Sequence, residues 1–333
     1  MLITFGTRPE YIKVLPIMKE MKRRGLRYTT FFTGQHTDLL KNTQKPDHTL
    51  QINSSGKNRL DTIVESILNN EEIFSEVESV MVQGDTTSAF ATALAAFHRK
   101  LPVIHLEAGL RTYDKYNPYP EEFNRKAISA LAEIHLCPTL NAEQKLIKEG
   151  YKNTFVVGNT VLDNLINVKT RNSNEVIVTL HRREKHANIT EWFSAINNLA
   201  QNHPELLFVL PIHPNPNVSK HAGILTKVRV IEPLGHQEFI NRLASCKYVI
   251  TDSGGIQEEA AFLGKPCVVC RDFTERDEGL GTHSILCKSP DNLRECLEWC
   301  NHTTITAGDQ CPYGDGKSAV YVCNILKKVE FNK

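Results

Sequence analysis

The stretch 248–270, YVITDSGGIQEEAAFLGKPCVVC, decides the fold. It reads as one βαβ unit, with an apolar strand at Tyr248–Thr251, a turn at Asp252-Ser253-Gly254-Gly255, a helix over 256–263 and a second strand over 267–270. Gly264 falls where helices commonly end on a left-handed residue. The paired glycines let backbone approach a ligand closely. The unsatisfied N–H groups and positive dipole end of a helix start favour an anion, typically phosphate. Glu259, one turn further on, can accept hydrogen bonds from sugar hydroxyls. A plain strand–turn–helix with glycines kept for packing shows the same pattern, so the rest of the chain must choose between the two.

Outward from this unit, strand and helix patterns alternate, which predicts an α/β architecture with parallel sheets. Leu2–Phe5 leads into Gly6-Thr7-Arg8-Pro9-Glu10, where Thr7 and Glu10 have the spacing of a capping box. The following helix is apolar nearly all round, and Pro16 inside it predicts a kink. Strands are expected at 29–33, Val80–Gln83 and Val103–Leu106, with helices at 60–68 and 88–97 and a helix start at Glu121-Glu122. A second series opens at 176–180, continues through a helix at 191–201 and a strand at 206–212, and ends in the βαβ unit. The mixed segment 160–173 marks a linker, dividing the chain into 1–165 and 166–317, with a C-terminal helix at 318–333.

Composition narrows the class. A chain of 333 residues, 41% hydrophobic and 23% charged, is long enough for about two domains with cores of their own. A net charge of +1 gives no field to recruit nucleic acid or anionic lipid. Arg8, Glu10 and Lys13 stand where a signal peptide needs an apolar core, and no uncharged apolar run reaches spanning length, so a soluble, cytoplasmic protein is expected. Nine cysteines, an odd number, fit free thiols in a reducing compartment. Cys267 and Cys270 lie on opposite faces of a strand, and Cys296 and Cys300 have no second pair to complete a metal site. Gly316-Lys317-Ser318 lacks the upstream glycine and the preceding strand of a phosphate-binding loop. No metal or cofactor is expected.

Polar residues follow the carboxyl ends of strand after strand: Gly6 and Arg8, Gln35 and His36, Asp85, Glu107, His181, His213, Ser253 and Arg271. Ligands of open parallel sheets bind beyond those ends. Each residue has a plain alternative: Asp85 as a helix N-cap, His181 and His213 as core histidines, Arg182 and Arg183 as a solvated face. Taken together from both halves, they predict two nucleotide-fold domains facing one central cleft. Asp85, Glu107 and Glu121 gathered there would repel one another, which implies that they do chemical work.

These residues resemble the non-hydrolysing UDP-N-acetylglucosamine 2-epimerases. The resemblance rests on Gly6-Thr7-Arg8-Pro9-Glu10, Gly34-Gln35-His36, Gly84-Asp85-Thr86-Thr87, His105-Leu106-Glu107-Ala108-Gly109-Leu110-Arg111-Thr112, Pro120-Glu121-Glu122 and Asn124-Arg125. It continues through Gly158-Asn159-Thr160, His181-Arg182-Arg183-Glu184, His213-Pro214-Asn215, Asp252-Ser253-Gly254-Gly255, Thr274-Glu275-Arg276 and Pro312-Tyr313-Gly314-Asp315-Gly316. It implies a glycosyltransferase-B type fold of two Rossmann-like domains, the last helix returning to the first, and a homodimer. It further implies a catalytic group of Asp85, Glu107, Glu121 and His181, with Arg8 and Lys13 nearby. Ser253, Gly254 and Gly255 would hold the diphosphate, Arg276 would assist them, and Glu259 would bind the ribose. Gln35, His36, Arg182 and His213 match a second, activating site for the same nucleotide sugar. Asp277 stands where the family usually has proline, and the segment after His36 is short.

The expected reaction interconverts UDP-N-acetylglucosamine and UDP-N-acetylmannosamine. The carbon-2 proton of an intact sugar is not acidic, and breaking the anomeric bond to UDP makes it so. Elimination to a 2-acetamidoglucal and re-addition then need a base, an acid and a stabilised leaving diphosphate, all of which this residue set supplies. A modified substrate such as a UDP-diacetamido uronate, a glycosyltransferase and a nucleotide-sugar sensor are the other readings. A transferase or a sensor leaves the carboxylates without a purpose.

Overall fold

Short runs without a charged residue, such as LITF, VMVQ and YVIT, are buried along their whole length, as strands covered on both faces of a sheet must be. The computed structural model describes residues 1–35, 45–52, 58–182, 188–212, 215–307 and 311–329. The chain divides into two compact units, Met1–Asn164 with Gly316–Lys333, and Leu165–Asp315.

The first unit runs β1 (Leu2–Phe5), α1 (Arg8–Arg23), β2 (Thr29–Phe32), β3 (His48–Thr49), α2 (Arg59–Leu68), β4 (Val80–Gln83) and α3 (Thr87–His98). It continues through β5 (Val103–Leu106), α4 (Glu121–Leu131), β6 (Ile134–Cys137), α5 (Leu140–Lys148) and β7 (Thr154–Val156). The second runs β8 (Glu175–Thr179), α6 (Ile189–Asn202), β9 (Leu207–Pro211), α7 (Pro216–Ser219), β10 (Arg229–Ile231) and α8 (His236–Ser245). There follow β11 (Tyr248–Thr251), α9 (Gly254–Phe262), β12 (Cys267–Val269), β13 (Ser284–Leu286) and α10 (Leu293–His302), after which α11 (Ser318–Lys328) completes the first unit.

Both sheets are doubly wound. Strand order is β3-β2-β1-β4-β5-β6-β7 in one and β10-β9-β8-β11-β12-β13 in the other. The pairings across both are parallel. In each, the chain starts mid-sheet, winds out to one edge, then returns beside its starting strand. The β1/β4 and β8/β11 junctions are therefore switch points, where successive connections leave on opposite faces and open a crevice. Two Rossmann-like units of this kind make up a glycosyltransferase-B type fold.

Local details follow from residue chemistry. Thr7 caps α1 in a reciprocal box with Glu10. Pro16 lies inside α1 and has no N–H to offer the Ile12 carbonyl, which instead accepts the Asn164 amide at 3.1 Å. In the second unit, Trp192, Phe193 and Ile196 of α6 pack on Val176 and Val178. Gly264, at φ +66°, follows Leu263, the C-cap of α9, in the left-handed conformation its position requires. The strands β3, β6, β7, β10 and β13 add to the sequence reading; most are two or three residues long and sit at or near sheet edges. No helix among the described residues is long and apolar enough to cross a membrane.

The last helix is tied down by one carboxylate. Asp163 accepts the N–H groups of Ser318 at 3.0 Å and Ala319 at 2.8 Å, while Ala319, Val322 and Cys323 join the core that Val14, Ile17 and Met18 of α1 supply. Asp163→Ala orphans those two donors, and a loss of about 1–2 kcal/mol is expected in urea unfolding. Unchanged stability, with no faster proteolysis at α11, would show that apolar packing alone holds the helix.

His105 and His135 are register partners on β5 and β6, and both are buried. The Gly84 carbonyl, 2.8 Å away, accepts from Nε2 of His105. Burial pushes His105 down to about 3 and His135 down to about 4. The unfolded imidazoles titrate near the ordinary value of about 6.5. The fold thus binds fewer protons than the unfolded chain between those limits. The linked stability is complete above about pH 6.5 and falls as pH drops through 5 toward 4 and 3. The slope approaches about 1.4 kcal/mol per pH unit for each histidine. Urea midpoints measured at pH 7, 6 and 5 check this, and His105→Gln is expected to flatten the slope.

Candidate active site

At the switch point of the first sheet, the turn after β1 is held by Glu10. Its carboxylate accepts the N–H groups of Gly6 at 3.0 Å and Thr7 at 2.7 Å, and the Thr86 hydroxyl at 2.7 Å from across the crevice. Burial pushes the Glu10 carboxyl up from its ordinary value, with these hydrogen bonds pulling the other way. Thr86, which stands in the turn after β4, is also the N-cap of α3. That corrects the alternative that made Asp85 the cap: Thr86 has the extended backbone, and its side-chain oxygen accepts the Ala89 N–H.

Asp85 is left with a different partner. Arg125 of α4 meets its Oδ2 through Nη2 at 2.7 Å and Nε at 2.8 Å, and the Asn124 amide donates to its carbonyl at 2.8 Å. Arg125 also reaches Glu122 at 3.2 Å. Glu122, fully buried, accepts the N–H groups of Thr112 at 3.0 Å and Tyr113 at 2.9 Å, anchoring the loop after β5 to the start of α4. Glu121, half-buried, is the first residue of α4, one turn ahead of Arg125.

Glu107 follows β5 at φ +64°, a conformation that costs a non-glycine residue about 1–3 kcal/mol and that clusters at functional sites. Lys13 of α1 and the Gln83 amide, at the end of β4, both bond its Oε2. The expected repulsion among carboxylates is therefore corrected. Lys13 is paired with Glu107 and Arg125 with Asp85, so these two do not confront each other as bare charges. Arg8 is the exposed first residue of α1, apart from these contacts. Gln35 is anchored by a chain in which Thr33 donates to Ser88 at 2.8 Å and Ser88 to the Gln35 side chain at 2.7 Å. His36 and His213 lie outside the described residues.

At the switch point of the second sheet, the hydroxyls of the register partners Thr179 and Thr251 meet at 2.6 Å. Beyond them, Asp252 accepts the N–H groups of His181 at 2.7 Å and Arg182 at 2.8 Å. Its other oxygen is 3.2 Å from Nδ1 of His181. Next comes Ser253, the N-cap of α9, which makes no side-chain capping bond, so the helix start keeps N–H groups for an anion. The helix begins at Gly254, two residues earlier than the glycines suggested, so they form its first turn.

The two glycines are there for different reasons. A Cβ on Gly254 would stand 2.5 Å from the Arg276 guanidinium, whereas a Cβ on Gly255 would meet nothing within 4 Å. Gly254 lets Arg276 pack against the helix start, and Gly255 faces open space. Arg276 is buried, bonded to Glu258 at 2.9 Å and Glu275 at 2.6 Å. The Tyr313 hydroxyl locks its loop by accepting from the Gly279 N–H at 3.2 Å and donating to the Arg276 carbonyl at 3.1 Å. Glu259, nearly buried, has the imidazole of His236 at 3.5 Å.

The sequence reading gave Glu10 only a capping role and assigned none to Gln83, Glu122, Arg125, Asp252 or His236. Gln83 carried a signal as a lone polar residue closing an apolar strand, and Asp252 as the residue opening the glycine turn.

Known relatives converge on one family. The family model described as UDP-N-acetylglucosamine 2-epimerase matches residues 19–327. The enzyme of that name from Campylobacter jejuni is 36% identical, over 100% of this chain and 98% of its own. The one from Bacillus subtilis is 36% identical over 96% and 92%. The structure of the Neisseria meningitidis enzyme bound to UDP-GlcNAc superposes with a TM-score of 0.87 at 33% identity, covering 98% of this chain and 99% of that one. The Methanocaldococcus jannaschii enzyme, in complex with UDP-GlcNAc and UDP, gives 0.83 at 29%, covering 98% and 99%. The chain belongs to the UDP-N-acetylglucosamine 2-epimerase family.

Proposed function

We propose that this chain interconverts UDP-N-acetylglucosamine and UDP-N-acetylmannosamine by eliminating UDP and adding it back. Glu107 carries the reading. A carboxylate held in a strained backbone, bonded on one oxygen by an ammonium and an amide, on the strand end next to a sheet's switch point, is suited to proton transfer. The C1–O bond breaks with its electron pair leaving on the diphosphate, and the carbon-2 proton passes to a protein base. Return of a proton to the opposite face of the glucal, with re-formation of the C1–O bond, inverts carbon 2. Asp85, Glu107, Glu121 and His181 share the proton transfers, with Arg8 and Lys13 beside the sugar. Ser253 and the N–H groups of Gly254 and Gly255, with Arg276, hold the diphosphate through both steps, and Glu259 takes the ribose.

The names of the relatives support this substrate, since those from Neisseria and Methanocaldococcus were captured with UDP-GlcNAc. Gln35, His36, Arg182 and His213 remain in the proposal as a second site for the nucleotide sugar. A cytoplasmic location fits nine free cysteines. A homodimer fits the exposed rings of Tyr116, Tyr119 and Phe123.

Gly255→Val puts a branched side chain into the open space beside the first turn of α9. The variant is expected to unfold at the wild-type midpoint and to lose UDP binding in calorimetric titration. Unchanged affinity would mean that the diphosphate is held elsewhere.

The reaction itself is tested in heavy water with UDP-N-acetylglucosamine and no nicotinamide. Deuterium is expected at carbon 2 of both epimers. Glu121→Gln keeps the shape and removes the ionisable group, and a rate loss of ~10²–10⁴-fold with little change in substrate affinity is expected. Epimerisation with the carbon-2 proton fully retained would overturn elimination.

A further inference from the structure

Asp252 has no solvent exposure; backbone orients its carboxylate on one side, and the oxygen on the other side is buried, makes no hydrogen bond and faces a ring. Oδ2 takes the N–H groups of His181 and Arg182, at 2.7 Å and 2.8 Å, which fixes the carboxylate plane. Oδ1 then stands 3.2 Å from Nδ1 of His181, whose side chain keeps 39% of its surface exposed. The juxtaposition comes from the sheet: β8 and β11 pair in parallel, Thr179 beside Thr251, and the Asp252 N–H bonds the Thr179 carbonyl at 3.1 Å. The residue just past one strand thus meets the residues just past the other.

We propose that Asp252 is a positioning residue that fixes the tautomer of His181, with the ring proton on Nδ1, so that proton transfer takes place at Nε2. The proposal rests on the reading that His181 moves a proton in the epimerisation. Oδ1 is a buried acceptor without a hydrogen bond, and a carboxylate does not donate, so a small turn of the ring that completes the bond requires the hydrogen on the facing nitrogen; in a neutral imidazole the other nitrogen keeps the lone pair. Asp252 also opens the Ser253-Gly254-Gly255 turn. One residue therefore sets both the histidine and the start of the helix proposed to hold the leaving diphosphate, which fixes the proton-transfer atom relative to the departing group.

Asp252→Asn separates orientation from shape. The amide oxygen can keep the two backbone N–H groups. Its NH2 then faces Nδ1 and donates to it, driving the ring proton to Nε2. An orienting aspartate replaced in this way beside a catalytic histidine elsewhere costs about 10⁴-fold. We expect kcat to fall ~10²–10⁴-fold with KM and UDP affinity within about threefold of wild type. His181→Gln alone and the double variant are expected to be equally slow, because Asp252 acts through the ring.

Two-bond ¹H–¹⁵N correlation spectra of histidine-labelled protein read the tautomer directly. Nδ1–H in the wild type and Nε2–H in Asp252→Asn are expected. Nε2–H at His181 in the wild type overturns the proposal whether or not the variant folds, as does a double variant slower than His181→Gln by the full factor of the single Asp252 change. Wild-type protein showing Nδ1–H at His181 but no carbon-2 exchange in heavy water would support the tautomer assignment and overturn the reading of the reaction, so the two failures are told apart.

Discussion

Three buried carboxylates share one task, and the site depends on it. Where a strand leaves a parallel sheet at its carboxyl end, its next N–H groups lose their ladder partners, and buried donors must find others. Glu10 takes two consecutive N–H groups after β1, Asp252 takes two after β8, and Glu122 takes two in the loop after β5. A carboxylate suits this because charge-assisted bonds are short and strong, and its two oxygens can serve a second partner at once. Glu10 reaches Thr86, Asp252 reaches His181 and Glu122 reaches Arg125. Each carboxylate thereby ties a turn to another strand end or helix, which converts a loose loop into a fixed platform. Lys13, Asp85, Glu121, His181 and Ser253 all stand on, or next to, segments held in this way.

The charges within the first unit form linked pairs. Arg125 bridges Asp85 and Glu122, and Lys13 reaches Glu107, which Gln83 also holds. Removing one partner of a buried pair leaves an uncompensated charge and costs several kcal/mol, far more than the pair adds to stability over an apolar replacement. The arrangement is therefore poor as a stabilising device and good as a geometric one. Glu107 makes the same point through its backbone: a left-handed residue without a glycine's freedom persists because the bonds on its side chain and the strand behind it over-determine its position.

The sequence made the central strands and the switch-point turns legible, because a strand buried on both faces writes a continuous apolar run and its exit writes glycine and polar residues. Val80–Gln83 and Tyr248–Thr251 are such runs. The edge strands β3 and β10 are short and partly exposed, so they write no run at all. At α9 the glycines read as a turn, since propensity alone does not reveal that Arg276 presses on Gly254. Asp85, Glu107 and Glu121 were visible as acidic residues at strand or helix boundaries. Lys13 was named beside them, but the pairing of Glu107 with Lys13 and of Asp85 with Arg125 was not legible, because both cations arrive from helices whose docking on the sheet sets the distance. His181 was visible in the same way, but its orientation by Asp252 depends on the pairing of strands about 70 residues apart in sequence.

Arg276 shows how the second unit suits a reaction that must release a diphosphate and take it back. Its guanidinium lies against the start of α9, adding to the helix's own positive end, yet two buried carboxylates, Glu258 and Glu275, bond it directly. An unpaired arginine there would bind a nucleoside diphosphate more strongly in every state of the reaction, and uniform tightening lowers no barrier between those states. In the proposed site, partial neutralisation leaves the directional N–H groups of the helix as the larger share of the anion's recognition. Those groups are aimed, fixed by the sheet and by Asp252, and can follow charge as it gathers on the leaving oxygen. On the proposed reaction, the carboxylates around Arg276 thus favour turnover over tight capture of UDP, using the same acidic side chains that hold the loop through Tyr313 and the arginine in place.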